Sequence, residues 1–115
     1  SRGARMKDQN RTGRIAVWSA IHDLKSQGYL ADRCTGTSRT FDLIAWKSTT
    51  ILALCIRTAR KQDITRFHQE ISRISALINQ KQVPGTIEFW LYHPNGKTRY
   101  RIMPGGAMLI REAAA

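Results

Sequence analysis

The run ILALCI at residues 51–56 constrains the fold of this sequence more than any other stretch, because all six of its residues are apolar. Side chains on a strand point alternately to the two faces of a sheet, so a strand without polar alternation is typically buried on both faces. Residues 51–56 are therefore predicted to form a central strand that other elements cover from both sides. In a chain of 115 residues, the length of one domain, this favours an α/β layer structure.

Two amphipathic patterns predict the covering helices. The first begins at Thr12 and ends near Lys25, with Gly28 as the helix stop. Its apolar stripe is predicted to contain Ile15, Val17, Trp18, Ile21 and Leu24. The second helix is predicted over residues 62–80, with Asp63 near its N-terminus, where a carboxylate is favourable. Its buried face is predicted to contain Ile64, Phe67, Ile71, Ile74 and Ile78.

Short apolar and β-branched segments predict the strands. Residues 29–34, 40–46 and 51–58 precede the second helix, and residues 86–93 and 98–103 follow it around the turn signal Asn95-Gly96. The tail at residues 108–112 is expected to form a further short strand or a helical turn. The predicted order is a helix, three strands, a second helix and two strands.

The charge of the chain indicates what it binds. Lys and Arg number 19 against 8 Asp and Glu, which gives a formal net charge of +11. Such an excess attracts polyanions, of which nucleic acid is the commonest, and arginine is well suited to phosphate. No stretch approaches the roughly 18 apolar residues of a membrane span, and no helical pattern combines a basic face with a bulky aromatic one. We therefore expect a nucleic-acid partner, no membrane association and a cytoplasmic location.

The domain boundaries follow from composition. Residues 1–10 are polar and charged without a period, so they are expected to form a flexible basic arm, and the part before Met6 resembles an expression tag. Residues 11–112 are expected to form a single folded domain, and residues 113–115 are interpreted as a tag remnant. Cys34 and Cys55 have no metal-site spacing, and two cysteines alone do not imply a disulfide.

Asp42 and positions 55 and 57 are the candidates for chemistry. Metal-dependent phosphodiester cleavage needs two or three carboxylates for Mg²⁺ and a lysine that orients the attacking water. Asp42 opens a strand, and positions 55 and 57 share one face of the next strand, as a paired acid and lysine would. They hold Cys55 and Arg57, but a thiol is a poor ligand for a hard cation and arginine stays protonated. The spacing fits a metal site, whereas the residue types do not.

The segments TGRIAVWSAIHDLKSQGY, RTFDLIAWKSTTILALCIRTARK and IEFWLYH, in this order, resemble the PD-(D/E)XK nuclease superfamily. Within it the chain is most similar to the archaeal Holliday junction resolvase-like branch. The resemblance covers roughly residues 11–103 and rests on the order of elements and on the FDLIAWK hairpin. It implies a restriction-endonuclease-like αβββαββ core, with a mixed central sheet and helices on its faces.

The resemblance also implies where the catalytic residues of the family would lie. In that family a Glu on the first helix, an Asp at the start of the second strand, and a Glu-x-Lys or Gln-x-Lys on the third strand bind metal and drive hydrolysis. These positions hold Val17, Asp42, Cys55 and Arg57, so only Asp42 is retained. The site is therefore expected to be degenerate, without metal or cofactor, and Asp42 is expected to pair with Arg57.

The basic residues match the family better. Six of them are expected to face the substrate and to grip the phosphate backbone of duplex or branched DNA: Arg11, Arg14, Arg39, Arg57, Arg60 and Lys61. A second set alternates along the last predicted strand and forms either another contact or a charged edge that resists strand pairing: Lys97, Arg99 and Arg101.

Three functions remain open on the sequence. The leading hypothesis is a DNA-binding protein on a nuclease fold that leans away from being an enzyme. The first alternative is an active endonuclease or junction resolvase, in which Glu70 or Asp32 supplies a migrated carboxylate and Mg²⁺ is the cofactor. The second is a dimeric interaction module with no nucleic-acid role. A homodimer is also expected under the leading hypothesis, because resolvase-like domains act as dimers on two-fold substrates.

Overall fold

The computed structural model describes the backbone of residues 2–111 and the side chains of residues 12–111. Within this part of the chain there are two α-helices, one 3₁₀-helix and six strands. In chain order they are α1 (Arg2–Ser26), β1 (Leu30–Arg33), β2 (Leu43–Lys47), β3 (Thr50–Thr58), the 3₁₀-helix (Ile64–Phe67), α2 (His68–Asn79), β4 (Thr86–His93), β5 (Gly96–Met103) and β6 (Gly106–Leu109). Neither described helix is long and apolar enough to cross a membrane.

The strands form one six-stranded sheet in the spatial order β1-β2-β3-β4-β5-β6. Neighbouring strands pair antiparallel, except that β3 and β4 are parallel. The segment containing the 3₁₀-helix and α2 connects β3 to β4 and makes the crossover that a parallel pair requires. The mixed sheet predicted from the sequence is therefore confirmed.

Both faces of β3 are covered, as its apolar run predicts. Leu52, Leu54 and Ile56 belong to a core that includes residues of α1, here called the α1-side core. Ala53 and Cys55 belong to a second core that includes residues of α2, the α2-side core. The sheet thus lies between two helices, and the predicted α/β class is confirmed.

The second half of the chain follows the prediction with one addition. The tail forms a strand, β6, which pairs with β5 and adds a third strand after α2. The second helix begins as a 3₁₀ turn, where the Asp63 side chain accepts a hydrogen bond of 3.0 Å from the amide of Thr65. Ile71 and Ile74 are buried, and the other three residues predicted for this face pack against the α2-side core. The predicted buried face is therefore confirmed.

The first helix ends where the sequence predicts. Gly28 has a φ of +91°, a region that glycine adopts without steric cost. Its amide donates to the carbonyl of Lys25, and the amide of Tyr29 donates to the carbonyl of Leu24, both at 3.0 Å. This pair of hydrogen bonds is the Schellman motif, which satisfies the last carbonyls of a helix.

The first helix begins earlier than the sequence predicts. It was predicted to start at Thr12, but α1 starts at Arg2, within the segment that was predicted to form a flexible basic arm. The reason is that this segment lacks an apolar period yet contains Arg, Ala, Met, Lys and Gln, which are strong helix formers. The tag remnant predicted at residues 113–115 lies outside the described residues.

The buried face of α1 contains only part of the predicted stripe: Ile21 and Leu24 are buried and Val17 packs against the α1-side core. Ile15 and Trp18 are 55% and 61% exposed, whereas Ala16 and Ala20 are buried together with Leu24. Each residue of a helix advances by about 100°, so a step of three residues falls short of a full turn by about 60°. Three such steps place Leu24 on the side of the helix opposite to Ile15. The two alanines lie on the side of Leu24, but alanine contributes little to an apolar pattern.

Candidate nucleic-acid interface

A cleft of about 740 Å³ opens between the segment before β2, the end of β3 and the beginning of α2. We call it the first cleft. Its charged lining residues are Arg39, Asp42, Arg57, Arg66, Glu70 and Arg73. Four guanidinium groups therefore face two carboxylates, and the cleft is positive overall. Uncharged polar groups, among them Thr37, Ser38 and Gln69, complete a lining that suits a polyanion.

Asp42 lies buried at the base of this cleft. Its backbone is fixed between two strands, because its amide donates to the carbonyl of Leu54 and its carbonyl accepts from the amide of Cys34. Its side chain is only 8% exposed and accepts hydrogen bonds from the Ile56 amide at 2.8 Å and from Arg57 Nη1 at 2.6 Å through Oδ2. The other oxygen, Oδ1, accepts from Arg39 Nε at 3.1 Å. Both carboxylate oxygens of Asp42 are thus engaged.

Arg57 bridges the two acids of the cleft. Besides its contact with Asp42, its Nε donates to Glu70 Oε2 at 3.2 Å and its Nη2 donates to Glu70 Oε1. Burial alone would lower the pKa of Arg57, but the carboxylates of Asp42 and Glu70 outweigh it and raise that pKa. The guanidinium is therefore a permanent positive charge between two carboxylates, and the expected pairing of Asp42 with Arg57 is present.

The residues of the first cleft do not fit a divalent cation. A metal ion needs free carboxylate oxygens, but those of Asp42 and Glu70 already accept hydrogen bonds from arginine or from the backbone. The guanidinium of Arg57 stands where an ion would have to bind both acids. Among the described residues, no group of three or more His, Cys, Asp or Glu side chains is arranged to hold a metal ion.

Cys55 shares a face of β3 with Arg57, as the sequence predicts, but it is fully buried in the α2-side core. Its Sγ lies 3.7 Å from the carbonyl oxygen of Thr40, to which the thiol donates a weak hydrogen bond. Burial raises the pKa of this thiol to about 12, although Arg57 acts in the opposite direction. Because the thiolate is the form that binds metals and attacks substrates, Cys55 is inert at neutral pH.

Three other predicted positions lie outside the first cleft. Val17 packs against the α1-side core, and Arg14 is exposed on α1 without lining the cleft. Asp32, one of the two candidates for a migrated acid, is exposed on β1, where it pairs in register with Ile44. The side chain of Arg11 lies outside the described residues. Of the family positions, the cleft therefore brings together Asp42 and Arg57, with Cys55 buried beside them.

Arg60 and Lys61 line a different opening. This second cleft, of about 1250 Å³, lies between α1 and the segments that follow β3 and β4. Arg66 lines both clefts and so connects their charged surfaces. The predicted basic set is thus divided, with Arg39 and Arg57 in the first cleft and Arg60 and Lys61 in the second.

Sequence reasoning missed Arg66 and Arg73. Together with Glu70 they recur at spacings of four and three residues, which places side chains on one side of a helix. That spacing is the signal that the sequence offers, but the apolar residues of the same segment dominate its pattern. In the structure all three side chains line the first cleft.

Two of the three basic residues predicted to alternate along β5 form ion pairs within the protein. Lys97 Nζ donates to Asp23 Oδ2 at 2.8 Å and lies 4.2 Å from the centre of the Trp90 ring. Arg99 Nη2 donates to the buried Glu88 at 2.8 Å and also lies over Trp90. These two cations stabilise the α1 side of the sheet, whereas Arg101 is exposed. The set is therefore not a continuous strip of free charge.

One comparison with known proteins, that with solved structures, agrees with this architecture. No protein-family model matches the chain, and no curated protein matches it. Among solved structures it is similar to Hjc from Archaeoglobus fulgidus, a Holliday junction resolvase from an archaeal hyperthermophile, with a TM-score of 0.57 over 87% of this chain and 88% of that one. The chain has a restriction-endonuclease-like fold. At 13% identity the similarity confirms the predicted fold but carries no activity with it, because one fold serves many functions.

Proposed function

We propose that this protein binds nucleic acid through the first cleft and does not cleave it. The observation that carries the proposal is the position of Arg57, which binds Asp42 and Glu70 at once. A guanidinium there supplies the positive charge that a metal ion supplies in a cleaving site. Unlike a metal ion, it has no open coordination position and cannot lower the pKa of a bound water. Among the described residues, the cleft keeps charge for holding phosphate, and Arg57 in the position of a metal ion does not activate water.

The charge for phosphate comes from cations that the protein does not neutralise itself. Four exposed residues of the two clefts make no ion pair with any described side chain: Arg60, Lys61, Arg66 and Arg73. The guanidinium fork suits phosphate oxygens because it donates two parallel hydrogen bonds. Such contacts hold the backbone of a nucleic acid and do not read its sequence.

The proposed ligand is duplex or branched DNA. The similarity of the fold to Hjc, which is a Holliday junction resolvase, supports DNA over other polyanions. A homodimer, in which two clefts face two arms of a branched substrate, stays a prediction.

An active nuclease is the second candidate function, because Glu70 lies across Arg57 from Asp42. It is one of the two candidates, with Asp32, for the migrated carboxylate of that alternative. For Asp42 and Glu70 to bind one Mg²⁺, Arg57 would have to leave both carboxylates. The nuclease hypothesis therefore requires a rearrangement that the DNA-binding hypothesis does without.

The test combines binding and cleavage. Fluorescence anisotropy with a labelled four-way junction, a duplex and a single strand of the same sequence measures Kd at low and at moderate salt. Four phosphate contacts would weaken binding to duplex roughly 100-fold between about 50 and about 200 mM salt. Gels of the same substrates, incubated with Mg²⁺ or Mn²⁺, should show no cleavage product.

Two results would contradict the proposal in different ways. Affinity that does not change with salt, or no binding at all, would remove the nucleic-acid role and favour the interaction module. Cleavage that disappears in the Asp42→Asn variant would make the protein a nuclease. Asn keeps the shape of the side chain, so a loss of cleavage would be due to the carboxylate charge.

A further inference from the structure

The second cleft differs in character from the first. Part of its wall is apolar, formed by Ile15 and Ala16 of α1, Ala59 after β3 and Pro94 after β4. Tyr92 adds an aromatic side chain. In the first cleft the only aromatic or aliphatic lining residue is Phe67 among the described side chains. A surface of this kind suits a flat, weakly polar group better than it suits a phosphate.

A residue of the lining of the second cleft carries a buried polar atom without a hydrogen-bond partner among the described residues. His93 lines the cleft, and its Nε2 lies 2.8 Å from Thr98 Oγ1. Its Nδ1 is buried and makes no hydrogen bond with any described residue. A buried polar atom without a partner is unfavourable, so this part of the lining favours a ligand with hydrogen-bonding groups. Ser19 and Thr58 add hydroxyl groups to the same lining.

The rim of the cleft is positively charged. Arg60, Lys61 and Arg66 are exposed there and form no ion pair within the described part of the chain. One carboxylate, Asp63, also lines the cleft, and its Oδ1 is occupied by the amide and hydroxyl of Thr65. Three cations around a partly apolar opening match a ligand that has an anionic group beside a flat heterocycle, as a nucleotide has.

We propose that the second cleft binds an unpaired nucleotide, with its base against the apolar wall and its phosphate on Arg60, Lys61 and Arg66. The inference rests on the proposed function, since the nucleotide belongs to a nucleic acid whose backbone lies along the first cleft. Arg66, which lines both clefts, joins the two binding surfaces. A base inside a duplex cannot enter the cleft without leaving its stack, so ends, flaps and bulges are the preferred ligands.

The experiment compares three versions of one labelled DNA. The first is a fully paired duplex, the second has one additional unpaired nucleotide as a bulge, and the third has an abasic residue at that bulge. Base stacking on an aromatic side chain predicts about tenfold tighter binding of the second than of the first. The abasic DNA keeps the bend and the phosphate, so its Kd should return to that of the duplex.

A variant locates the base in the cleft. Ser19→Phe adds a ring to the wall and should abolish the preference for the bulge while changing duplex affinity by less than about twofold, since the basic rim is untouched. Ser72→Phe, an exposed position on α2 that lines neither cleft, is the matched control and should keep the preference. Circular dichroism establishes that both variants fold.

Each outcome decides a different point. Equal affinity for the duplex and the bulge overturns the nucleotide site and leaves the proposed DNA binding intact. A preference for the bulge that survives in the abasic DNA also overturns the nucleotide site, because the base then contributes nothing. This measurement uses the wild-type protein, so it does not depend on whether any variant folds. Failure of all three DNAs to bind overturns the proposed function, and the nucleotide site with it.

Discussion

Arg57 connects three parts of the fold at one point. Its guanidinium donates to Asp42 before β2, to Glu70 on α2 and to the carbonyl of Ile56 in its own strand. Without it, two carboxylates would face each other in a partly buried cleft with several hydrogen bonds unmade. A charge that loses its partner in such a place costs more than an exposed ion pair contributes.

We expect the Arg57→Met variant, which keeps the length of the side chain but removes its charge, to be less stable by about 2–4 kcal/mol. The value lies below that of a fully buried pair because the Arg57 side chain is 31% exposed. Urea unfolding at pH 7 measures the change. Arg101→Met, at an exposed position of β5, is the control and should change the free energy of unfolding by less than about 0.5 kcal/mol. Equal effects of the two substitutions would show that the Arg57 bridge contributes nothing.

The same variant should acquire a response to divalent cations. Once Arg57 is removed, the oxygens of Glu70 and one contact of Asp42 are free, and an ion that binds the folded state raises its apparent stability. Millimolar Mn²⁺ should raise the Tm of Arg57→Met by several degrees and leave the wild type unchanged. A similar shift in the wild type would mean that Arg57 does not block the site.

Cys55 should make stability depend on alkaline pH. Burial is the main cause that raises the pKa of its thiol from the ordinary 9.0 to about 12. Between about pH 9 and pH 12 the unfolded chain loses this proton while the folded protein keeps it, so the free energy of unfolding falls as pH rises. Below that window the contribution is complete. Urea unfolding at pH 8 and pH 10.5 should show a smaller fall for Cys55→Ala than for the wild type, whereas equal falls would contradict the assignment.

Among the elements, α1 owes its position to small side chains. Ala16 and Ala20 are 4% and 0% exposed and face the α1-side core, so the helix backbone lies close to the sheet. Two of its larger apolar residues, Ile15 and Trp18, point elsewhere and remain exposed, whereas Ile21 and Leu24 are buried. This orientation leaves the Ile15 side of the helix available to form a wall of the second cleft.

A larger side chain on the buried face of α1 should therefore be unfavourable. Ala20→Leu forces extra methylene groups into a closed interface and should destabilise the protein by about 1–3 kcal/mol. Ala76→Leu makes the same change at an exposed position of α2 and should have an effect of less than about 0.5 kcal/mol. Thermal unfolding followed by circular dichroism compares them. Stabilisation by Ala20→Leu would mean that α1 is loosely packed.

For the molecule as a whole, only part of the net charge of +11 is available to bind a ligand. Some cations are used internally, as Lys97 and Arg99 are on the α1 side of the sheet. Others, such as Arg66 and Arg73, stay free of ion pairs within the described chain and line the first cleft. The cations that form no ion pair, rather than the total charge, should determine how the affinity for DNA changes with salt concentration.

The contribution of one such cation to the salt dependence can be measured with a variant of Arg66. Removing one phosphate contact lowers the steepness of log Kd against log salt by about 0.9 for duplex DNA. We expect Arg66→Ala to reduce the slope by about that amount and to weaken binding of different duplex sequences equally. Arg101→Ala removes the same charge from a site outside both clefts and should leave the slope nearly unchanged. Equal slopes in both variants would indicate that binding follows net charge alone.

Some features of this protein could be predicted because their causes are local in the chain. The apolar run at residues 51–56 predicted a doubly covered strand, Gly28 predicted the end of α1, and Asn95-Gly96 predicted the β4–β5 hairpin. The face of α1 could not be predicted in the same way. Ile21 and Leu24 are buried as predicted, but Ile15 and Trp18 are not, because the burial of the alanine side depends on how closely the helix fits the sheet.

The candidate site likewise contains residues that the sequence predicts and contacts that only the tertiary structure shows. Asp42 and Arg57 could be named from the sequence alone. Residue types predict the strands, and the alternation of side chains along a strand predicts which face each residue is on. The bridge to Glu70 could not, since it joins α2 to β3 and depends on how that helix packs on the sheet. Sequence periodicity determines which way a side chain leaves its own element. Which charges meet is determined by how elements pack, and that packing placed a guanidinium between two acids and left Arg66 and Arg73 free for phosphate.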